Sequence, residues 1–176
     1  TTIEQFGRVD ILVNNAGIGV EGNVANCKPE DWDNAMAVNL RAPFIGIQAA
    51  FPHMKKQNSG TIINVSSVLA DEVADDLTNP VVAAAAQASG TGVTPYGVTK
   101  AGLIRLTVGA AADLAPYGIS VNCLKPSWTD TEGLRQWFPD ADRSNWSKPH
   151  QWGQAVAFLA SADPEKYNGR IIGEAE

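Results

Sequence analysis

The chain has 176 residues, of which 44% are hydrophobic, so it is long enough and apolar enough to fold around a core. Its formal net charge of −6 argues against a nucleic-acid-binding surface, which needs clustered Lys and Arg side chains. No apolar run reaches the length of a membrane span, and the polar start of the chain lacks the pattern of a secretion signal. Cys27 and Cys123 have neither disulfide nor metal-ligand spacing, so no metal site and a location in the reducing cytoplasm are expected.

The first part of the chain alternates between helix and strand patterns. Residues 1–7 are predicted to end a helix at Gly7, because glycine readily adopts the left-handed conformation that closes helices. The apolar run at residues 9–13 predicts a strand buried on both faces, as strands of parallel sheets are. Apolar side chains then recur at three- and four-residue spacing, which predicts a helix over residues 29–57. A second buried strand follows at residues 61–65.

The second part begins with residues 71–95, which are too long for an ordinary connection, and segments of this kind are commonly functional. A long helix is predicted from about residue 95 to 115, with Gly118 as its end. The remaining elements are a strand at 119–124, an irregular stretch at 127–148, a helix at 149–161 and a short strand at 169–172. Strands that alternate with helices predict an α/β fold of three layers, a Rossmann-like doubly wound parallel sheet.

Tyr96 and Lys100 lie four positions apart on the predicted long helix, so their side chains share one face. A neighbouring ammonium group stabilises a phenolate, and Lys100 is therefore expected to lower the pKa of Tyr96 from its ordinary value of about 10. A tyrosine tuned in this way exchanges a proton at neutral pH, as hydride transfer between an alcohol and a carbonyl requires. The spacing alone is a weak signal, because many helices contain it by chance.

Polar or small residues follow three of the predicted strands. They are the segment 14–17, the pair Ser66 and Ser67, and the pair Pro126 and Ser127. Open α/β sheets bind their ligands at the carboxyl ends of the strands, so these segments and the Tyr96 helix face are expected to meet in one crevice.

With these motifs the chain resembles the short-chain dehydrogenase/reductase family, in the group whose fourth strand ends in Asn-Asn-Ala-Gly. Residues 14–17 match that motif in full, and residues 38–40 match the helix position of the family's active-site asparagine. Ser67, rather than Ser66, fits the register of the family's catalytic serine. The resemblance covers essentially the whole chain in the family's order, and it continues through the catalytic helix at 96–101 and the cofactor segment at 119–131.

The resemblance implies an NAD(P)-dependent oxidoreductase that interconverts a secondary alcohol and a ketone. Tyr96 would be the general acid/base, Ser67 would polarise the substrate oxygen, and Lys100 would contact the nicotinamide ribose. Asn39 would hold a water that links Lys100 to a proton relay. The choice between NAD and NADP stays open, and the implied cofactor contacts come from Asn15, Ala16, Gly17, Tyr96, Lys100, Pro126, Ser127, Thr129 and Thr131.

The chain departs from the family pattern in three places. The Gly-rich turn that binds the cofactor pyrophosphate is absent, so residues 1–176 are expected to be the C-terminal part of an NAD(P)-binding domain with an open sheet edge, or a protein whose partner supplies the first half. Ser67 and Tyr96 are 29 positions apart, more than is usual, so the segment between them is expected to loop out. Ser127 replaces the family's glycine, which implies strain if that position needs a positive φ.

Two other functions stay open at this point. A catalytically silent binding or scaffold protein is favoured if the Gly-rich turn is absent in nature. An NAD-dependent epimerase or dehydratase also uses Tyr-x-x-x-Lys, although the Asn-Asn-Ala-Gly turn argues against it.

The expected partners are a small alcohol or ketone and further copies of the chain, with neither nucleic acid nor membrane. The family commonly forms a homodimer or homotetramer through its two long helices, here 29–57 and 96–115. Residues 69–94 and 127–150 are expected to supply the substrate pocket, and they indicate no anionic substrate group. Whether the tryptophans of the second segment are ordinary packing or a substrate lid stays open for Trp128, Trp137 and Trp146.

Overall fold

The computed structural model describes residues 1–20, 22–70 and 94–173, with four parallel strands in one sheet. The strands pair in the order of the chain, and they are β1 (Ile11–Asn14), β2 (Gly60–Val65), β3 (Ile119–Leu124) and β4 (Ile171–Ile172). Parallel pairing throughout these ranges confirms the predicted α/β, Rossmann-like fold. The expectations for residues 71–93 lie outside the described residues.

Six α-helices accompany the described strands: α1 (Thr2–Phe6), α2 (Pro29–Met36), α3 (Ala42–Gln57), α4 (Thr94–Leu114), α5 (Glu132–Trp137) and α6 (Pro149–Ser161). Gly7 and Gly118, the two glycines predicted to end helices, do end them. Both have a left-handed backbone, with φ of 73° and 67°. In the described ranges, no helix combines the length and apolarity that crossing a bilayer requires.

The helix predicted over 29–57 has the predicted ends, Pro29 and Gln57, and contains a π-helical turn at Ala37–Arg41 that includes the buried Asn39. One other sequence-based prediction was wrong. The stretch 127–148 is not wholly irregular, because it contains α5. Thr131 begins that helix by accepting a hydrogen bond from the Leu134 amide at 3.3 Å, the usual role of a threonine N-cap, and this signal was missed.

Helices cover both faces of the sheet. On one face α3 and α4 pack on β2 and β3, in a core that includes Ile47, Met54 and Ile62. On the other face α6 packs through Leu159 on Ile63 and Leu124. The sheet therefore forms the middle layer of three, with the carboxyl ends of its strands at one common edge.

The strand β1 corrects the prediction of a strand buried on both faces. Its Ile11 and Val13 side chains are 45% and 38% exposed. Among the described residues β1 pairs only with β2. The apolar run predicted the strand itself correctly. The burial of its side chains depends on neighbours from other parts of a fold, which the run does not record.

Candidate functional site

The residues predicted to carry the chemistry meet where the carboxyl end of β2 contacts the first two turns of α4. We call this contact, formed by Val65, Ser66, Ser67, Tyr96 and Lys100, the β2–α4 corner. The Ser66 hydroxyl donates to the main-chain carbonyl of Lys100 at 2.8 Å, and the Lys100 Nζ donates back to the carbonyl of Val65 at 2.8 Å. These two bonds fix the register of α4 against β2, because each uses a main-chain acceptor that cannot rotate away.

Ser67 takes no part in these two hydrogen bonds, and its side chain lies next to Tyr96. Its hydroxyl accepts the Leu69 amide at 3.2 Å, and its side chain lies close enough to the Tyr96 phenol to oppose the rise of the Tyr96 pKa. Ser67 and Tyr96 are therefore brought together despite the 29 positions between them, as the resemblance required. The Ser66 hydroxyl instead bonds the main chain of Lys100, and the assignment of Ser67 as the catalytic serine stays a prediction.

The electrostatics of Tyr96 correct the expectation that Lys100 lowers its pKa. The Lys100 Nζ lies 5.5 Å from the centroid of the phenol ring and donates to Val65. Burial is the largest influence on Tyr96 and raises its pKa, while the neighbouring Ser67 side chain opposes that shift. Burial also lowers the pKa of Lys100 to about 8, so its ammonium form is held at a cost.

Asn39 lies in the π-helical turn and is fully buried. Its amide pairs with both main-chain groups of Ile18: Oδ1 accepts from the amide at 2.8 Å, and Nδ2 donates to the carbonyl at 2.9 Å. The second Nδ2 proton goes to the Thr99 hydroxyl at 3.1 Å. The side chain thus joins the loop after β1 to α4, and a water at this residue, as the resemblance implies, stays a prediction.

The loop after β1 approaches the β2–α4 corner at Gly17. A Cβ atom at this position would lie 3.2 Å from the Lys100 Nζ and 3.4 Å from the Asn39 Oδ1, so a side chain would crowd both groups. Asn15 and Gly17 line the cavity beside the corner, whereas Ala16 is exposed and is not among the residues that line it. The glycine of the Asn-Asn-Ala-Gly motif is therefore explained by this close approach.

The segment after β3 supplies the next side of the same cavity. Pro126, Ser127, Thr129 and Thr131 all line it, and their contact with a cofactor stays a prediction. Strain at Ser127 was expected only if the position needs a positive φ, and this condition is not met, because Asn58 is the only non-glycine residue with positive φ in the described part of the chain. The Thr131 hydroxyl serves as the N-cap of α5, which leaves its own proton available to another acceptor.

Residues 127–148 fold into a small unit, which we call the lobe, beside this cavity. Its centre is Trp128, whose ring stacks on Trp146 with centroids 5.2 Å apart and meets the edge of Phe138 at 5.0 Å. Trp128 and Phe138 line the cavity, and Trp146 is buried behind Trp128. Trp128 thus lies in the wall and Trp146 supports it, the Trp137 side chain lies outside the described part of the structure, and the choice between packing and a substrate lid stays open.

Ser147 joins the two ends of the lobe and was missed from the sequence. Its main chain bridges to Thr129, its hydroxyl donates to the Trp128 carbonyl at 3.1 Å, and it accepts from the Trp152 Nε1 at 3.1 Å. None of these contacts follows a helical or strand period, so no sequence signal marks the residue. On the outer side Asp130 pairs with Arg135 at 2.7 Å and Lys148 at 3.1 Å, and these hydrogen bonds hold the pKa of its carboxyl group well below the usual range.

A cavity of about 990 Å³ is lined by residues of the β2–α4 corner, the loop after β1, the segment after β3, the lobe and the start of α6. The β2–α4 corner contributes Ser67, Tyr96 and Lys100, and Lys100 is the only charged residue among the described residues that line the cavity. The lobe and the start of α6 contribute mostly apolar side chains. The arrangement places a proton-carrying phenol, a hydroxyl and an ammonium group at one end of a largely apolar space.

Comparison with known proteins identifies the group to which the fold and these motifs belong. The family model described as "Enoyl-(Acyl carrier protein) reductase" matches residues 1–173. The 3-oxoacyl-[acyl-carrier-protein] reductase FabG of Thermotoga maritima is 34% identical over 97% of this chain, and that of Staphylococcus aureus is 37% identical over 97%. The chain spans 66% of the length of each of these relatives.

A solved structure agrees with the sequence matches. The gluconate 5-dehydrogenase of Burkholderia cenocepacia J2315, in complex with NADP and tartrate, is 32% identical and superposes with a TM-score of 0.81. The match covers 98% of this chain and 66% of that one. The similarity extends over nearly the whole chain in both kinds of comparison, and the chain belongs to the short-chain dehydrogenase/reductase family.

Proposed function

We propose that the protein is an NAD(P)-dependent oxidoreductase that interconverts a secondary alcohol and a ketone. The observation that carries the proposal is the meeting of Ser67, Tyr96 and Lys100 at the β2–α4 corner, at the edge of the sheet where α/β proteins bind ligands. The relatives named as reductases and dehydrogenases support this reaction class, and the NADP complex of the gluconate 5-dehydrogenase supports the cofactor class.

The chemistry divides between the cofactor and the chain. A bound NAD or NADP supplies the hydride in the reducing direction and accepts it in the oxidising direction. Tyr96 holds the proton that the substrate oxygen gains as the ketone becomes an alcohol. Ser67 donates a hydrogen bond to the same oxygen, which stabilises its developing negative charge. Because burial favours the protonated phenol, Tyr96 is in the state that a reduction needs at neutral pH.

Lys100 and Asn39 have supporting roles in this proposal. The Lys100 ammonium group contacts the nicotinamide ribose and holds α4 against β2 through its bond to the Val65 carbonyl. Asn39 holds the loop after β1 against α4 and lies beside the path by which a proton returns. The missing side chain at Gly17 leaves the space next to the Lys100 Nζ open, which fits a ribose at that place. The remaining cofactor contacts come from Asn15, Ala16, Pro126, Ser127, Thr129 and Thr131.

We further propose that residues 1–176 form one partial NAD(P)-binding domain. The open edge of β1 and the exposed Ile11 and Val13 side chains support a sheet that continues beyond β1. The cofactor pyrophosphate would then be bound by residues other than the described ones, and the choice between NAD and NADP would be made there.

A homodimer or homotetramer through the helices at 29–57 and 96–115 also stays part of the proposal. Large apolar side chains are exposed on these helices, including Phe44, Ile45 and Val108. Exposed apolar patches on helices commonly mark association surfaces. Sedimentation of the full-length protein would measure the state directly, and a monomer at micromolar concentration would refute this part.

The reaction is tested by oxidation of NADH and NADPH by the full-length protein with a panel of ketones. We expect Tyr96→Phe to lower kcat by about 10³-fold while the dinucleotide still binds, because general acid catalysis contributes factors of this order. Tyr117→Phe is the matched control, since Tyr117 packs against Phe51 away from the cavity. Unchanged turnover in Tyr96→Phe would contradict the mechanism.

Two other outcomes would favour the alternative functions. Dinucleotide binding without turnover of any ketone would favour the silent binding protein, and product formation without net cofactor oxidation would favour the epimerase.

A further inference from the structure

The lobe contributes both hydroxyl side chains (Ser127, Thr129 and Thr131) and large apolar side chains to the cavity wall, and the apolar part of this wall is rich in rings. Trp128, Leu134 and Phe138 line it, in the same cavity as the reacting side chains Ser67 and Tyr96. None of these three wall residues carries a hydrogen-bonding group apart from the indole N–H of Trp128. A substrate that binds against them gains free energy by burying apolar surface.

The wall is pre-formed and does not depend on a ligand to order it. Trp128 is held between the stacked ring of Trp146 and the edge of Phe138, and its carbonyl accepts from the Ser147 hydroxyl at 3.1 Å. Rings packed in this manner have few alternative rotamers, so little entropy is lost when a ligand is bound. Such a surface selects flat or cyclic groups, because offset and edge-to-face contacts between rings add to simple burial.

The charges of the residues that line the cavity argue against a second kind of substrate, one that carries a carboxylate or phosphates. Lys100 is the only charged residue that lines it among the described residues, and its Nζ donates to Val65 within the β2–α4 corner. None of the cations of the lobe is among the described residues that line the cavity: Arg135 and Lys148 are paired with Asp130, and Arg143 donates to the Pro139 carbonyl. A substrate with a carboxylate, or with the phosphates of a coenzyme A thioester, would meet no unpaired cation on this wall.

Resting on the proposed function, we infer that the substrate is an uncharged ketone or secondary alcohol with an apolar ring. The ring packs against Trp128, Leu134 and Phe138 while its carbonyl carbon lies at Tyr96 and Ser67. Reduction forms one C–H bond from the hydride of NAD(P)H and one O–H bond from the proton of Tyr96, so the ketone is reduced as the dinucleotide is oxidised. Thioesters of coenzyme A are poor substrates, since their phosphates have no partner here.

The experiment compares three substrates with the full-length protein and NADPH or NADH: acetophenone, 2,3-butanedione and acetoacetyl-coenzyme A. We expect kcat/KM for acetophenone to exceed that for acetoacetyl-coenzyme A by at least about tenfold, as a substrate whose charges lack partners is rejected strongly. Phe138→Leu keeps an apolar side chain but removes the ring. It is expected to lower kcat/KM for acetophenone about fivefold and to leave that for 2,3-butanedione within about twofold.

Phe158→Leu is the matched control, because its ring also makes an edge-to-face contact, with Tyr167 at 5.0 Å, but does not line the cavity. It should leave the ratio of the two ketones unchanged. A second variant, Leu134→Lys, places a cation in the wall and should shift the preference at least about fivefold toward acetoacetyl-coenzyme A.

Each outcome decides one point. Reduction of 2,3-butanedione without a preference for acetophenone, or an equal loss for both ketones in Phe138→Leu, would overturn the inference and leave the proposed function standing. The same holds if acetoacetyl-coenzyme A is the best substrate of the unmodified protein. Failure to reduce any of the three with either cofactor would instead remove the proposed function, and the substrate class with it.

Discussion

The β2–α4 corner and the lobe border the same cavity but are held together by different forces. In the corner, Ser66 and Lys100 exchange hydrogen bonds of 2.8 Å with main-chain carbonyls, and both residues are buried. The lobe depends on ring contacts around Trp128 and on the exposed ion pairs of Asp130. Polar groups aimed at rigid acceptors hold atoms to a narrow geometry, which proton transfer needs, whereas ring packing tolerates exchange of one apolar side chain for another.

This difference indicates how one scaffold accommodates many substrates. A change in the corner is expected to affect the reaction itself, because the reacting hydroxyls lie there. A change in the lobe is expected to affect which molecule is accepted, because the wall contributes burial without a proton or a charge. The predictions that follow test this division, from the largest expected effect to the smallest.

Ser67→Ala and Ser66→Ala compare two neighbouring hydroxyls that differ in role. Each substitution removes one buried hydroxyl and at least one intramolecular hydrogen bond, so both should lower the free energy of unfolding by about 1 kcal/mol. We expect Ser67→Ala to lower kcat by about 10²- to 10³-fold, the effect of removing one oxyanion donor. Ser66→Ala, which loses only a positioning contact, should lower kcat by less than about tenfold. Equal losses of kcat at matched stability would contradict the assignment of Ser67.

The pH dependence of alcohol oxidation tests the electrostatics of Tyr96. Oxidation requires the phenolate as a base, and burial raises the pKa of Tyr96, so the active fraction should increase with pH. We expect kcat/KM, which reports the free enzyme, to rise by about tenfold per pH unit from pH 6 with no plateau below pH 9. Steady-state rates with a secondary alcohol and excess NAD(P)⁺ would measure it. A plateau near pH 7 would mean that Lys100 does lower the pKa of Tyr96, as the sequence alone suggested.

Lys100→Met tests the cost of keeping an ammonium group in the corner. The pKa of Lys100 falls from 10.5 to about 8 on folding, so the unfolded chain binds more protons between these values and the free energy of unfolding rises with pH there. Below pH 8 the charge costs about 3 kcal/mol, of which the bond to Val65 offsets about 1 kcal/mol. We therefore expect the inactive Lys100→Met to be more stable than the unmodified protein by about 2 kcal/mol at pH 7.

A comparison of the same two proteins at pH 9 tests the direction in which the stability difference changes with pH. The advantage of Lys100→Met should shrink by about 1 kcal/mol, because the unmodified protein then folds with a neutral amine. The Cys123 thiol, whose pKa burial raises to about 11 despite the opposing charge of Lys100, stays protonated at both pH values and adds no charge to the comparison. Denaturant unfolding at the two pH values measures it, with the exposed Lys56→Met as the control. A destabilised Lys100→Met at pH 7 would contradict the argument.

Asp130→Asn should have the smallest effect. Its partners Arg135 and Lys148 are about half exposed, and ion pairs of this kind are screened by salt. We expect kcat with a small diketone to change by less than about twofold, and limited proteolysis of the lobe to become faster at low salt. A loss of kcat beyond tenfold would show that the lobe takes part in positioning the reacting groups, and the division between the two regions would fail.

Much of the fold and the corner followed from local pattern. Apolar runs marked strands, three- and four-residue spacing marked helices, and glycine ended two of them. The motif at residues 14–17 and the Tyr96 and Lys100 pair identified the family, because each occupies a fixed place relative to a strand end or a helix turn. Where the pattern was ambiguous, at α5, the missed signal was the N-cap Thr131.

What the sequence by itself determined is therefore the family, the order of the elements and the identity of the polar residues at the strand ends. Only the tertiary structure decided the exposure of Ile11 and Val13, the role of Ser147 in the lobe and the direction of the Tyr96 pKa shift. The physical reason is the same in each case. Burial and hydrogen-bond partners are properties of atoms brought together from distant parts of the chain, and no local period of the sequence records them.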